Sequence, residues 1–207
     1  MLHTATVYPR TLAILRQLMQ SPAFNAFNLV GGTALSLQIG HRISIDLDMF
    51  TTENVENNYL ISELSKLGNL EILVDKPPFL QTSLDDVKLD FLKYPYPIIN
   101  EFVELEGIRL VNIENITIMK LIAIARRGVK KDFFDLYFLL QIYTLDEIIA
   151  IFKLKVPNVD LFHIIKSLTY FDDANIDADP KMLQKVTWAT VKKTIIHVSQ
   201  NYLKTLK

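Results

Sequence analysis

Residues Asn28 to Thr52 read N-L-V-G-G-T-A-L-S-L-Q-I-G-H-R-I-S-I-D-L-D-M-F-T-T, and they restrict the fold more than any other stretch of the chain. Gly31 and Gly32 end an apolar run (Phe27, Leu29, Val30) and open a segment, Thr33 to Ile39, whose Ala34, Leu35, Leu37 and Ile39 supply a helical apolar face. Glycines at a turn into a helix let backbone N–H groups approach a phosphate, and the helix N-terminus adds partial positive charge. From Ile43 to Phe50 the period changes to two: Ile43, Ile45, Leu47 and Met49 alternate with Ser44, Asp46, Asp48 and Phe50. A strand with that period puts Ser44, Asp46 and Asp48 on one face. Carboxylates two residues apart on a strand are roughly 7 Å apart at the backbone, and side chains leaning together can share one or two hard cations such as Mg²⁺.

Each half has an ordinary explanation when taken alone. The D-x-D pair reads as a solvated strand face, and G-G before a helix reads as a turn. Their separation ties them together. Thirteen residues lie between Gly32 and Asp46, enough for one short helix and a tight return to a neighbouring strand. A phosphate-cradling turn and a metal-holding carboxylate pair then sit side by side.

The string G-G-T-A-L … G-H-R-x-S-x-D-L-D resembles the first motif of the nucleotidyltransferase superfamily, to which DNA polymerase beta belongs. More specifically it is similar to the nucleotidyltransferase-fold toxins of abortive-infection toxin–antitoxin pairs, the AbiEii/AbiGii toxin family. The resemblance implies an α+β fold, with a DNA polymerase beta-like mixed-sheet core followed by a C-terminal helical bundle.

The remaining composition is compatible with this. The chain has 207 residues, half of them apolar and 22% charged, with a formal net charge of −1. That argues against a generally basic nucleic-acid binder while leaving room for a local basic face. No cysteine is present, so disulfides and Cys-based zinc sites are excluded, and the expected compartment is the reducing cytoplasm. The first ten residues lack a signal-peptide pattern, and no apolar run approaches 18 residues, so no membrane association is expected.

Taken in order, the sequence predicts a helix from Pro9 with Leu12, Ile14, Leu15, Leu18 and Met19 as its stripe, stopped at Ser21-Pro22. A loop from Thr51 to Asn58, a helix to Lys66 and a strand at Leu70–Val74 follow. Pro77-Pro78 breaks that strand, Phe79 to Leu84 is extended, and Asp85-Asp86 forms a hairpin tip. Val87 to Leu92 is the next strand, with Val87, Leu89 and Phe91 on one face and Lys88, Asp90 and Leu92 on the other. Asp90 is either an exposed acid on a half-buried strand or a third carboxylate, and the resemblance favours the third carboxylate. Pro95 and Pro97 mark a bend, and Phe102–Leu105 with Ile108–Val111 form a hairpin. Helices are expected at Glu114–Arg127, Val129–Tyr143, Leu145–Lys153, Val159–Thr169 and Pro180–Leu206, with Asp172 and Asp173 in a loop. The domain boundary falls near residue 112, dividing an α/β core (1–112) from a helical domain (113–207) packed on it.

In K-L-I-A-I-A-R-R-G-V-K-K-D-F-F-D-L-Y-F-L-L, Lys120 and Arg127 share one helix face, and Asp132 and Asp135 share another. Spacing alone allows a pair of amphipathic helices with a solvated basic elbow. Yet the two aspartates lie on a narrow strip between bulky apolar residues, and buried acids usually have a partner. The resemblance matches Lys120, Lys131, Asp132 and Asp135 to a family pattern, with Lys131 where Arg is more usual. Lys offers a point charge rather than a fork, which weakens a phosphate contact there.

The chemistry implied by the resemblance is metal-assisted nucleotidyl transfer. Asp46 and Asp48 hold Mg²⁺ (or Mn²⁺), and Asp90 completes the metal site or acts as a base. Gly31, Gly32 and Thr33, with Ser44 nearby, bind the NTP phosphates, and Lys120 adds positive charge, oriented by Asp132 or Asp135. The implied acceptor is RNA, such as the 3′ end of tRNA, met by a basic elbow of Arg126, Arg127, Lys130 and Lys131, and the implied protein partner is a cognate antitoxin. Two alternatives stay open: transfer to a small molecule or protein hydroxyl, and a non-catalytic member that binds nucleotide or antitoxin.

Overall fold

Pro9 has no N–H to leave unsatisfied and its φ suits a helix, so it opens α1 (Pro9–Gln20). Thr11, Ile14, Leu15, Leu18 and Met19 recur at helical spacing and form the face that α1 buries. Ser21 ends the helix ahead of Pro22, and the connection beyond it is held by a distant residue. Arg109 donates to the main-chain carbonyls of Met19 (3.0 Å), Phe24 (3.0 Å) and Phe27 (3.2 Å). The computed structural model describes residues 1–94, 102–157 and 159–205. The chain forms two compact units, Met1–Asn112 and Ile113–Lys207.

The first unit is built on a sheet with seven strands among the described residues. In chain order its elements are β1 (Asn28–Val30), α2 (Gly31–Ile39), β2 (Leu47–Thr51), α3 (Asn57–Leu64), β3 (Leu70–Lys76), β4 (Phe79–Leu84), β5 (Val87–Lys93), β6 (Val103–Leu105) and β7 (Ile108–Leu110). The strand order is β3-β4-β5-β2-β1-β7-β6. β2 runs parallel to β5, and β1 parallel to β7, while the other pairings are antiparallel. The period of two gives the sheet one dry face, where Leu47, Met49, Leu80, Leu84, Leu89 and Phe91 are buried. Phe24, Phe27 and Phe91 close that core with ring centroids 5.2 to 6.5 Å apart. The opposite face carries Asp48, Phe50, Gln81, Asp90 and Leu92, all half-buried.

The hairpin tip at Asp85-Asp86 is as expected, with both residues at positive φ (48° and 66°), the geometry of a tight two-residue turn. The long strand expected from Ile43 is shorter. Ser44 forms only an isolated bridge to Val7, Ile45 is 53% exposed, and β2 begins at Leu47. The cause is non-local: Ser44 N–H donates to the Thr6 carbonyl at 2.9 Å, which turns Ser44 inward and Ile45 outward. The bend expected at Pro95 and Pro97 lies outside the described residues.

The second unit is helical: α4 (Ile113–Arg127), α5 (Lys130–Leu139), α6 (Leu145–Lys155), α7 (Leu161–Ser167), α8 (Asp172–Ile176) and α9 (Trp188–Thr205). An aromatic cluster sits inside it. Trp188 stacks on Phe134 at 5.7 Å and meets Phe133 and Phe171 edge-on at 5.8 and 5.6 Å. Three boundaries differ from expectation. α5 stops at Leu139, and a capping box of Thr144 and Glu147 starts α6 at Leu145. Asp172 and Asp173 lie in the first turn of α8 rather than in a loop, where carboxylates favour a helix N-terminus. The last helix begins at Trp188, with Thr187 Oγ1 accepting from Thr190 N–H at 3.2 Å in the manner of an N-cap. A mixed-sheet core followed by a helical bundle is the architecture.

Candidate active site

Sheet register assembles the first group of residues. Val30 pairs with Asp48 across the antiparallel β1–β2 ladder, Asp48 with Asp90 across parallel β2–β5, and Asp90 with Gln81 across β5–β4. One row of the sheet therefore runs Gln81, Asp90, Asp48, Val30, and Gly31 leaves the end of that row. Side chains paired this way project to the same face with strands about 5 Å apart.

Gly31 has φ +69° and starts α2. A β-carbon there would lie 2.2 Å from Asp48 Oδ2, and one on Gly32 would lie 2.3 Å from Arg42 Nη2. The two glycines thus bring bare main chain against a carboxylate and a guanidinium at once. The N-cap residue, Val30, has no acceptor in its side chain, and the first turn of α2 contains no acid. The N–H groups of that turn and its positive dipole end suit an anion.

Thr33 ties the turn to the loop that carries the aspartates. Its Oγ1 is bonded to Ser44 Oγ at 2.9 Å and to the main-chain carbonyl of Asp46. Thr33 and Ser44 are buried, so their hydroxyls fix the position of Asp46 from within. Arg42, 4% exposed, donates from Nη1 to the Ile43 carbonyl at 3.0 Å. Reading the sequence singled out the glycines and aspartates but missed Arg42, whose signal was its place in the G-H-R turn. It also missed Gln81 and Lys88. Gln81 Nε2 donates to Asp90 Oδ1 at 2.9 Å, and Lys88 Nζ lies 3.4 Å from Asp90 Oδ2.

Asp46 and Asp48 offer hard oxygen donors of the type a divalent cation takes. Among the described residues no three His, Cys, Asp or Glu side chains are gathered into a cage. Mg²⁺ seldom uses one. It is commonly held by one or two carboxylates, with waters and substrate phosphates completing the shell. Asp46 and Asp48, beside a turn whose N–H groups suit an anion, are hard-oxygen donors of that kind.

The second group lies within the helical unit. Lys120 on α4 is 4% exposed, and Asp132 and Asp135 on α5 are fully buried. The Lys120 ammonium contacts Asp132 Oδ1 at 2.8 Å and Asp135 Oδ2 at 2.5 Å. Arg127 forks onto Asp132, Nε to Oδ2 at 2.9 Å and Nη2 to Oδ1 at 3.2 Å. Burial alone would raise the Asp132 pKa. The Lys120 charge, followed by the hydrogen bond and charge of Arg127, outweighs it and holds the carboxyl below its ordinary value. Both aspartates touch the lysine, and Arg127 adds a second cation at Asp132.

The elbow differs from the solvated cluster that the sequence suggests. Lys130 is 5% exposed. Its ammonium is bound to the Asp177 carbonyl and, at 3.1 Å, to Asp179 Oδ1, and lies 5.6 Å from the centre of the Trp188 ring. Its charge is turned into the helical unit, and Arg127 is paired with Asp132. Arg126 remains exposed, and Lys131 is half-buried.

Comparisons with known proteins bear on the family and the fold. A family model described as nucleotidyl transferase AbiEii toxin, type IV toxin–antitoxin system, matches residues 13–198. An uncharacterized protein of Aquifex aeolicus (strain VF5) is 40% identical over 156 residues, covering 72% of this chain and 76% of that protein. The crystal structure of JHP933 from Helicobacter pylori superposes with a TM-score of 0.60 at 22% identity, over 97% of this chain and 94% of that one. MenT4, a nucleotidyltransferase toxin from Mycobacterium tuberculosis, does so with a TM-score of 0.54 at 14% identity, over 91% and 80%. The sheet and its helical bundle are nucleotidyltransferase-like.

Proposed function

The chain belongs to the nucleotidyl transferase AbiEii toxin family of type IV toxin–antitoxin systems, and we propose that it transfers a nucleoside monophosphate from an NTP to an RNA hydroxyl, such as the 3′ end of a tRNA. The observation that carries this reading is the single sheet row in which Asp90 neighbours Asp48 and Asp48 abuts the Gly31 turn. Phosphate-binding main chain and acidic side chains are neighbours there.

Asp46 and Asp48 would hold Mg²⁺ or Mn²⁺, which when bound neutralises charge on the α-phosphate and the leaving pyrophosphate. The N–H groups of Gly31, Gly32 and Thr33 bind the β- and γ-phosphates. Asp90, oriented by Gln81, takes the proton of the attacking hydroxyl as its oxygen bonds to the α-phosphorus and pyrophosphate departs. Within the helical unit Asp132 and Asp135 are positioning residues that hold the Lys120 ammonium in place. The consequence in the cell is growth arrest, relieved by a cognate antitoxin.

The acceptor is tested by incubating the protein with each α-labelled NTP, Mg²⁺ and total RNA. Label should appear in a discrete RNA band with one NTP preferred. Label found only in a small hydroxylated compound or in protein would overturn RNA as the acceptor.

A further inference from the structure

The end of α4 and the end of α7 border an open concavity of about 310 Å³ that the transfer chemistry does not use. Arg126 and Arg127 line it from α4, His163 and Lys166 from α7, and Tyr170 and Asp173 from the segment that follows. All belong to the helical unit. Each basic residue has a local reason to be there, since cations favour the negative end of a helix and these lie in last turns of α4 and α7. That reason does not explain why two helix ends direct their cations at one concavity. Nor does it explain Tyr170 at its rim, 53% exposed.

Charge and shape together select the occupant. With Arg127 paired to Asp132, Arg126 and Lys166 face one acid, Asp173, in a protein whose net charge is −1, so a local excess of positive charge lies here against the average. The volume is at the small end of the range for ligand pockets, roughly 300 to 1,000 Å³, which suits one nucleotide and not a duplex. Basic side chains beside an exposed aromatic ring are how proteins hold single-stranded nucleic acid: cations take the backbone and the ring stacks on a base.

We propose that this cavity binds one nucleotide of a single-stranded RNA, its phosphate against Arg126 and Lys166 and its base on the Tyr170 ring. The site rests on RNA being the acceptor, and it deepens that reading by naming where an unpaired segment is held.

The test measures binding of a fluorescent single-stranded RNA oligonucleotide across a salt series, using wild type, Arg126→Gln/Lys166→Gln and Tyr170→Ala. These side chains are exposed, and circular dichroism melts check that the variants fold. The double variant should weaken binding and flatten the plot of log affinity against log salt by about 0.7 per charge removed. Tyr170→Ala should weaken binding about tenfold with the slope unchanged, as loss of stacking predicts. The KM for RNA should rise in both, while binding of labelled NTP without RNA keeps its wild-type value. If wild type labels RNA but the variants bind it with wild-type affinity and slope, the cavity is not the site, and RNA survives as acceptor. If wild type neither binds nor labels RNA, both readings fall together. Capture of an acidic peptide in place of RNA would also overturn the proposal.

Discussion

Replacing Gly31 by alanine would place a carbon 2.2 Å from Asp48 Oδ2, at a residue whose φ is +69°. The left-handed backbone alone costs a non-glycine residue about 1 to 2 kcal/mol, and the carboxylate must move as well. At Gly32 the carbon would meet the far end of the Arg42 side chain, which can swing away, and φ there is ordinary. Urea unfolding should therefore show Gly31→Ala destabilised by about 1 to 2 kcal/mol or more and Gly32→Ala by less, with NTP binding weakened in both. Equal stability losses would mean that Asp48 does not lie against the turn. The Lys120 cluster behaves differently. Removing one partner of a buried ion pair leaves an uncompensated charge and costs about 3 to 5 kcal/mol. Lys120→Met strands Asp132 and Asp135, so it should lose stability on that scale, and Lys120→Met/Asp135→Asn should recover part of it because Arg127 still serves Asp132. A Lys120→Met protein as stable as wild type would show that the ammonium is not held between the two acids.

Among the elements, α6 is tied to α4 by Lys155, which is 2% exposed and donates from Nζ to Asn115 Oδ1. Burial pushes its pKa down from 10.5 to about 8. Between those values the unfolded chain binds the proton and the folded chain does not, so stability rises with pH across that window. Below about pH 8 the folded chain carries the buried charge. Melting temperatures from pH 8 to 10.5 should contain a rising contribution that Lys155→Met removes; identical pH profiles would contradict it. Elements of this kind also show what sequence reveals. β4, β5, α1 and α4 are legible because period and punctuation, such as Pro22 or Gly128, act locally. The early part of β2 is not, because Ser44 is turned by Thr6 and Thr33, which belong to other elements. Lys130 looks solvated in sequence, but its partners Asp177 and Asp179 are 47 and 49 residues away. The D-x-D and G-G pair was readable at the site. Arg42 and Gln81 were not, since only sheet register and the return from α2 bring them in.

For the whole molecule, function follows from how little of the chain performs the chemistry. The described residues include no helix long and apolar enough to cross a membrane, and the net charge of −1 offers no general attraction for RNA. On the proposed reading RNA would be met by local features, while most of the sheet and bundle serve to hold a few polar groups in place. The central claim is that the carboxylates next to the Gly31 turn support nucleotidyl transfer. Its most direct test is the rate at which α-labelled NTP is transferred to RNA in Mg²⁺ by wild type and by Asp48→Asn, with melting curves recorded in parallel. Asparagine keeps the shape of the side chain and removes the charge that a hard cation needs. The predicted result is labelled RNA with wild type and none with Asp48→Asn at unchanged fold. Transfer by Asp48→Asn at the wild-type rate would contradict the account.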